Sequence, residues 1–179
     1  MKKYIALLRG INVSGQKLIK MERLRESISR LGLKDVSTYI QSGNILFSYP
    51  ESSGAILSDK ITRLIFADFG HDVQVITIEP DELALTLSEN PFAGQTLENL
   101  TQPYVGFLSD YPSQENISAL RAMDFGSDSF FIIGKRIYIW YADSAGKTKL
   151  SNAVVERKLK VVSTVRNWKT VRKLLELSL

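Results

Sequence analysis

The chain has 179 residues, no cysteine and a hydrophobic fraction of 44%, enough length for one domain or two small ones and enough apolar content for a packed core. The lack of cysteine excludes disulfides, thiolate catalysis and cysteine-ligated metals. The net charge of +4 is uneven: residues 1–34 hold nine Lys or Arg against two acids (+7), residues 145–179 repeat nine against two (+7), and residues 35–144 hold five against fifteen (−10).

Two basic ends would attract a phosphate-rich partner if they formed one surface, whereas Lys and Arg spread over outer helix faces would merely be solvated. The start MKKYIALLRG is positive, but its apolar run covers only residues 4–8. That is too short for a signal-peptide core, and no stretch approaches a membrane span. A soluble cytoplasmic protein without membrane contact is expected.

Residues 4–8 form an apolar, strand-prone run stopped by Arg9-Gly10. In 21–31, Met21, Leu24, Ile28 and Leu31 recur at helical spacing, and Gly32 follows where a left-handed cap is wanted. Runs 36–40 and 45–47 are β-prone and joined by Gln41-Ser42-Gly43-Asn44, residues suited to a hairpin turn. Residues 52–69 read as a helix before Gly70, and 73–78 as a strand. The order β-α-β-β-α-β is ferredoxin-like.

A short helix over 81–87 and a loop through Pro91 and Gly94 follow. The order then repeats: strand 104–108, helix 113–123, strands 129–133 and 136–141 around Gly134-Lys135, helix 151–159 and strand 161–165. Asn167 is placed to cap a last helix with Trp168, Val171, Leu174 and Leu175 on one face. The expected fold class is therefore α+β, with two ferredoxin-like (βαββαβ) halves in tandem, packed together. The divisions fall at 1–79, a connecting helix and loop over 80–101, and 102–179 with a C-terminal helix.

In a ferredoxin-like sheet the first and second strands run parallel, so the 9–17 loop and the 41–44 turn should lie at one end of the first sheet. The loop RGINVSGQK has two glycines that let backbone N–H groups turn toward an anion, with Arg9 and Lys17 adding charge. It lacks the G-x-G-x-x-G spacing, and turn chemistry alone accounts for its glycines. Gly146-Lys147-Thr148 lies between a strand and a helix, but position 141 is Tyr where a phosphate loop needs glycine. In KRIYIWY, Arg136, Tyr138 and Trp140 share one face and Ile137, Ile139 and Tyr141 the other. Such aromatics stack bases in RNA-binding sheets, but the consensus is absent, so the first expectation is that they seal packed sheets or a dimer and base stacking is the lesser alternative. His71, the lone histidine, has no partner for a triad or a metal.

Three motifs in order, RGIN-V-x-G (Arg9, Gly10, Ile11, Asn12, Val13, Gly15), YIQSGN (Tyr39 to Asn44) and a C-terminal series from Gly146 through Lys149, Leu150, Glu156, Arg157 and Thr164 to Arg166-Asn167-Trp168, resemble a bacterial family known only as domain of unknown function 1697. The resemblance spans essentially the whole chain. It implies a compact protein of two α+β subdomains, with no assigned activity and no catalytic residues to carry over. Ser14 stands where the family often has a second glycine, and Lys147-Thr148 where a short serine-containing stretch is usual.

No catalytic or metal-ligand constellation is present, so neither enzyme activity nor a cofactor is expected. The leading expectation is a non-enzymatic module binding an anionic partner, nucleic acid foremost. Arg9, Lys17, Lys147, Lys149, Arg157 and Arg166 would supply charge, and Asn12, Gln41 and Asn44 hydrogen bonds. The alternatives are a nucleotide- or small-molecule-binding protein or enzyme using the same two loops, and a protein-interaction module using the aromatic strand.

Overall fold

The computed structural model describes residues 1–95 and 102–179, so part of the expected 80–101 connection lies outside the described residues. The chain divides into two compact units, Met1–Leu85 with Lys173–Leu179, and Thr86–Arg172.

The first unit runs β1 (Lys2–Leu8), α1 (Met21–Ser29), β2 (Lys34–Tyr39), β3 (Asn44–Tyr49), α2 (Gly54–Phe69) and β4 (Val75–Ile78), followed by α3 (Pro80–Ser88), whose last residues belong to the second unit. Its sheet has the order β2-β3-β1-β4, every neighbouring pair antiparallel. β1 is central and nearly continuous in apolar residues, and from Tyr4 to Leu8 it is buried on both faces. Met21, Leu24 and Ile28 lay the stripe of α1 on one face of the sheet, beside Leu57, Ile61 and Ile65 of α2. Ser53 caps α2, its side chain accepting the Ile56 amide, and Gly70 ends it in the left-handed conformation, φ 68°. Tyr4 stacks on Phe47, centroids 5.7 Å apart, and its hydroxyl both donates to the Ser52 carbonyl and accepts the Ser52 amide, 3.0 Å each.

The second unit repeats the plan with β5 (Tyr104–Leu108), α4 (Gln114–Arg121), β6 (Ser129–Ile133), β7 (Arg136–Trp140), α5 (Asn152–Leu159) and β8 (Ser163–Asn167), in the antiparallel order β6-β7-β5-β8. The last helix, α6 (Trp168–Ser178), is capped by Asn167, which accepts the Thr170 amide at 2.9 Å. β8 begins two residues later than its apolar pattern suggests. Val161 and Val162 instead approach the end of β5, where the Val162 amide donates to Ser109 Oγ and its carbonyl accepts the Ser109 amide.

The repeat extends to individual backbone bonds. The Leu8 amide donates to the Gly43 carbonyl as Leu108 does to Lys135 (2.8 and 2.9 Å), and Arg9 donates to Gln74 as Ser109 does to Val162 (2.9 Å each). Lys160 takes the left-handed cap position that Gly70 fills in the first unit.

On β7, Ile137, Ile139 and Tyr141 join the core formed with α4 and α5. The opposite face is covered as well, which overturns the picture of an open stacking platform. Tyr138 is fully buried and donates to the Thr86 carbonyl at 3.0 Å, Arg136 pairs with Glu89 at 2.5 Å, and Trp140 packs against Phe92 with centroids 5.5 Å apart. The connecting segment thus occupies the face that bases would need.

Burial pushes the Tyr138 phenol up to about 12 from an ordinary value near 10, and burial, with Tyr104 and Asp128 nearby, does the same to Tyr141. The unfolded chain ionises near 10, so this contribution to stability is complete below pH 10 and is lost as pH rises through 12. Urea midpoints should therefore hold up to about pH 10 and fall above it, with the Tyr138→Phe variant falling less steeply from its own starting value. A midpoint independent of alkaline pH would contradict the neutral, buried state of these phenols.

Candidate functional site

The ends of β1 and β2 meet as their parallel course requires. Asn12 makes the junction. Its Nδ2 donates to the Gln41 carbonyl (2.9 Å) and the Ile19 carbonyl (3.0 Å), its Oδ1 accepts the Ile19 amide (2.8 Å), and its own amide donates to the Lys17 carbonyl (3.2 Å). One side chain thereby closes the loop on itself and fastens it to the turn after β2. Within the loop, Val13 and Gln16 form a small antiparallel bridge.

The backbone is unusual for its length. Gly10, Asn12, Ser14, Gly15 and Lys17 all have positive φ, and so does Ile40 beside the turn, at 52°. Asn tolerates that region; a β-branched residue rarely does. Such positions persist only where the surroundings hold them, and they concentrate at binding and catalytic sites. The loop between β1 and α1 takes twelve residues (9–20), whereas the matching connection between β5 and α4 takes five (109–113).

The candidate residues divide into two groups. In the first unit, Arg9 and Lys17 are half-buried at the loop, the Lys17 ammonium donating to the Asp72 carbonyl. Gln41 is exposed. Asn12 is spent on the loop, and Asn44 is fully buried, its Nδ2 donating to the Tyr39 carbonyl and Ser42 Oγ. These two residues shape the edge rather than face a ligand. Lys20, exposed at the loop's end with no acid between it and Arg9, is a cation that the charge pattern of the loop could have flagged.

In the second unit, Lys147, Lys149 and Arg157 are exposed, Lys147 lying 3.4 Å from Asp143. Thr148 of the false phosphate loop is bound to Asp128 and to the Leu150 amide, so it serves turn structure. Arg166 is interior: it is 7% exposed, donates to Thr164 Oγ1 (2.8 Å) and the Val165 carbonyl (2.9 Å), and is pushed down to about 10 by burial, which leaves it charged at neutral pH. It is a buried cation of β8, not a surface contact.

A cleft of about 590 Å³ opens in the second unit beside Ser109, Asn116, Glu156 and Lys160. Three of its polar groups are internally engaged: Ser109 Oγ accepts the Val162 amide, Asn116 donates to the Leu159 carbonyl, and Glu156 accepts the Ser163 amide. Among the described residues no cluster of three or more His, Asp or Glu side chains could hold a metal ion, and no helix is long and apolar enough to cross a membrane.

Two antiparallel βαββαβ units of the same strand order, one bearing an elaborated loop, define an α+β protein of tandem ferredoxin-like halves. The chain belongs to the family described as protein of unknown function (DUF1697), which matches residues 1–138. The conserved bacterial protein SP0830 from Streptococcus pneumoniae has a similar fold, with a TM-score of 0.74 at 23% identity, covering 99% of this chain and 98% of that one. No curated protein matches the chain.

Proposed function

We propose that the protein is a non-enzymatic binding module that holds an anionic partner, nucleic acid foremost, at the 9–17 and 41–44 edge of its first unit. The supporting observation is an exposed, acid-free loop held in a single strained conformation by Asn12. A loop already ordered before binding gives up little conformational entropy to its ligand. Arg9, Lys17 and Lys20 supply charge at this edge, and Lys147, Lys149 and Arg157 are further surface cations of the second unit. The carbonyl that holds Lys17 belongs to Asp72, an acid beside this edge whose carboxylate accepts from Gln74.

Fluorescence anisotropy of labelled single-stranded RNA, single-stranded DNA and duplex DNA across a salt series tests the reading. Binding should weaken with salt, with a slope of about −0.7 per phosphate contact on single strands and about −0.9 on duplex. Arg9→Ala should reduce the slope by about one contact and weaken binding severalfold at low salt. Because Arg166 is interior, its replacement would report on folding and is not the informative variant. No binding to any of the three at low salt would overturn the proposal.

A further inference from the structure

The same edge carries apolar side chains that the core does not use. Val13 is 56% exposed, Leu18 66% and Ile40 48%. The bonds of Asn12 tie together the three backbone segments that carry them: Val13 follows Asn12, Leu18 precedes the Ile19 that Asn12 grips on both sides, and Ile40 precedes the Gln41 whose carbonyl Asn12 binds. Isolated exposed aliphatics are ordinary. Three of them on segments fastened to one asparagine, one in left-handed backbone, stand at one edge on backbone that is held in place. Lys17 and Lys20 flank Leu18, and no acid lies between Arg9 and Met21.

We infer that this edge is built for single-stranded nucleic acid, with unpaired bases against Val13, Leu18 and Ile40 and phosphates toward Arg9, Lys17 and Lys20. The inference rests on the nucleic-acid reading above and narrows it. A duplex turns phosphates and sugars outward and keeps its base faces stacked inside, so aliphatic side chains beside the cations would meet little they could desolvate. A single strand offers both a base face and a phosphate in each nucleotide. Side chains this exposed stand out from the surface instead of lining a slot, which suits a flat base better than the anchors of a peptide helix or strand.

The test compares the full-length protein with its Val13→Ser/Leu18→Ser variant and its Arg9→Ala variant, on a labelled oligo-uridine strand and a duplex of equal length. The wild type should bind the strand more tightly than the duplex at equal salt. The double serine variant should bind the strand about tenfold more weakly, the loss of about 1.4 kcal/mol of apolar contact, with an unchanged salt slope. Its melting temperature should not move, since both positions are solvent-exposed. Arg9→Ala should change the slope instead. Duplex binding equal to or tighter than strand binding, or strand binding unaffected by the serines, would overturn the inference while leaving the broader reading intact. Failure of both probes to bind at low salt would remove both. If the serine variant altered only self-association in sedimentation, the patch would belong to a second copy of the chain, and the single-strand inference would fall.

Discussion

Replacing Gly43 with alanine should destabilise the first unit by about 3 kcal/mol, combining left-handed backbone strain of about 1–2 kcal/mol with overpacking of about 1–3 kcal/mol. Gly43 has φ 80°, and a Cβ there would lie 2.6 Å from Leu8 Cβ and 2.8 Å from Ile11 Cδ1. Neither neighbour has room to give: Leu8 is fully buried at the end of the central strand, and Ile11 is 1% exposed beneath the loop. The Gly43 carbonyl also accepts the Leu8 amide, so any retreat of the turn lengthens that bond. Urea unfolding should show a lower midpoint with an unchanged m-value. Gly15→Ala is the comparison, because φ there is 75° and nothing lies within 4 Å of the added carbon. It should cost about 1–2 kcal/mol, the backbone share alone. Equal losses at the two positions would show that the approach of Gly43 to Leu8 is not tight. Because Gly43 lies in the same turn as Gln41, its alanine variant should also disturb the ligand edge, and its binding has to be read alongside its stability.

Tyr4→Ala should cost about 4 kcal/mol, within the range for removing a large buried ring from a core. The residue is 1% exposed and stacked on Phe47, its partner in register on β3. Tyr4→Phe separates the contributions of ring and hydroxyl. Phenylalanine keeps the stacking and removes only the two hydrogen bonds to Ser52, which lie just ahead of the cap of α2. Since Ser52 is half-buried and water can replace part of what is lost, the expected cost is about 1–2 kcal/mol. Chemical denaturation of the pair decides the matter: a phenylalanine variant as unstable as the alanine variant would place the weight on the Ser52 bonds and not on the packing.

Most of the fold was legible because apolar spacing and turn residues agree with each other along this chain. Strands Tyr104–Leu108 and Ser129–Ile133 fall where their patterns place them, and Gly70 ends one helix and Asn167 starts another as their chemistry suggests. Boundaries moved where tertiary bonds outweighed pattern, as at Val162, which bonds Ser109 before the strand begins. The candidate edge was legible only in part. Parallel strands predicted that the loop and turn would meet, but no sequence pattern separates an asparagine that contacts a ligand from one whose side chain is consumed by Ile19 and Gln41. Arg166 was unreadable for a similar reason. A cation in a short strand looks like a surface charge until its neighbours are seen to bury it. The exposure of Ile40 likewise depends on which way its left-handed backbone turns it, and that is set by the partner segment.

The difference in length between the two matching connections has a consequence of its own. Residues 109–113 show that five residues suffice to carry this chain from a central strand into the next helix under the same pair of backbone bonds. The first unit solves the same geometric problem with twelve, so most of its connection is surplus to building the fold. Surplus backbone usually wanders; this stretch is clamped by its own asparagine and bent through left-handed turns. The duplicated architecture therefore contains its own internal control: one half records what the scaffold requires, and the other shows what has been added to it.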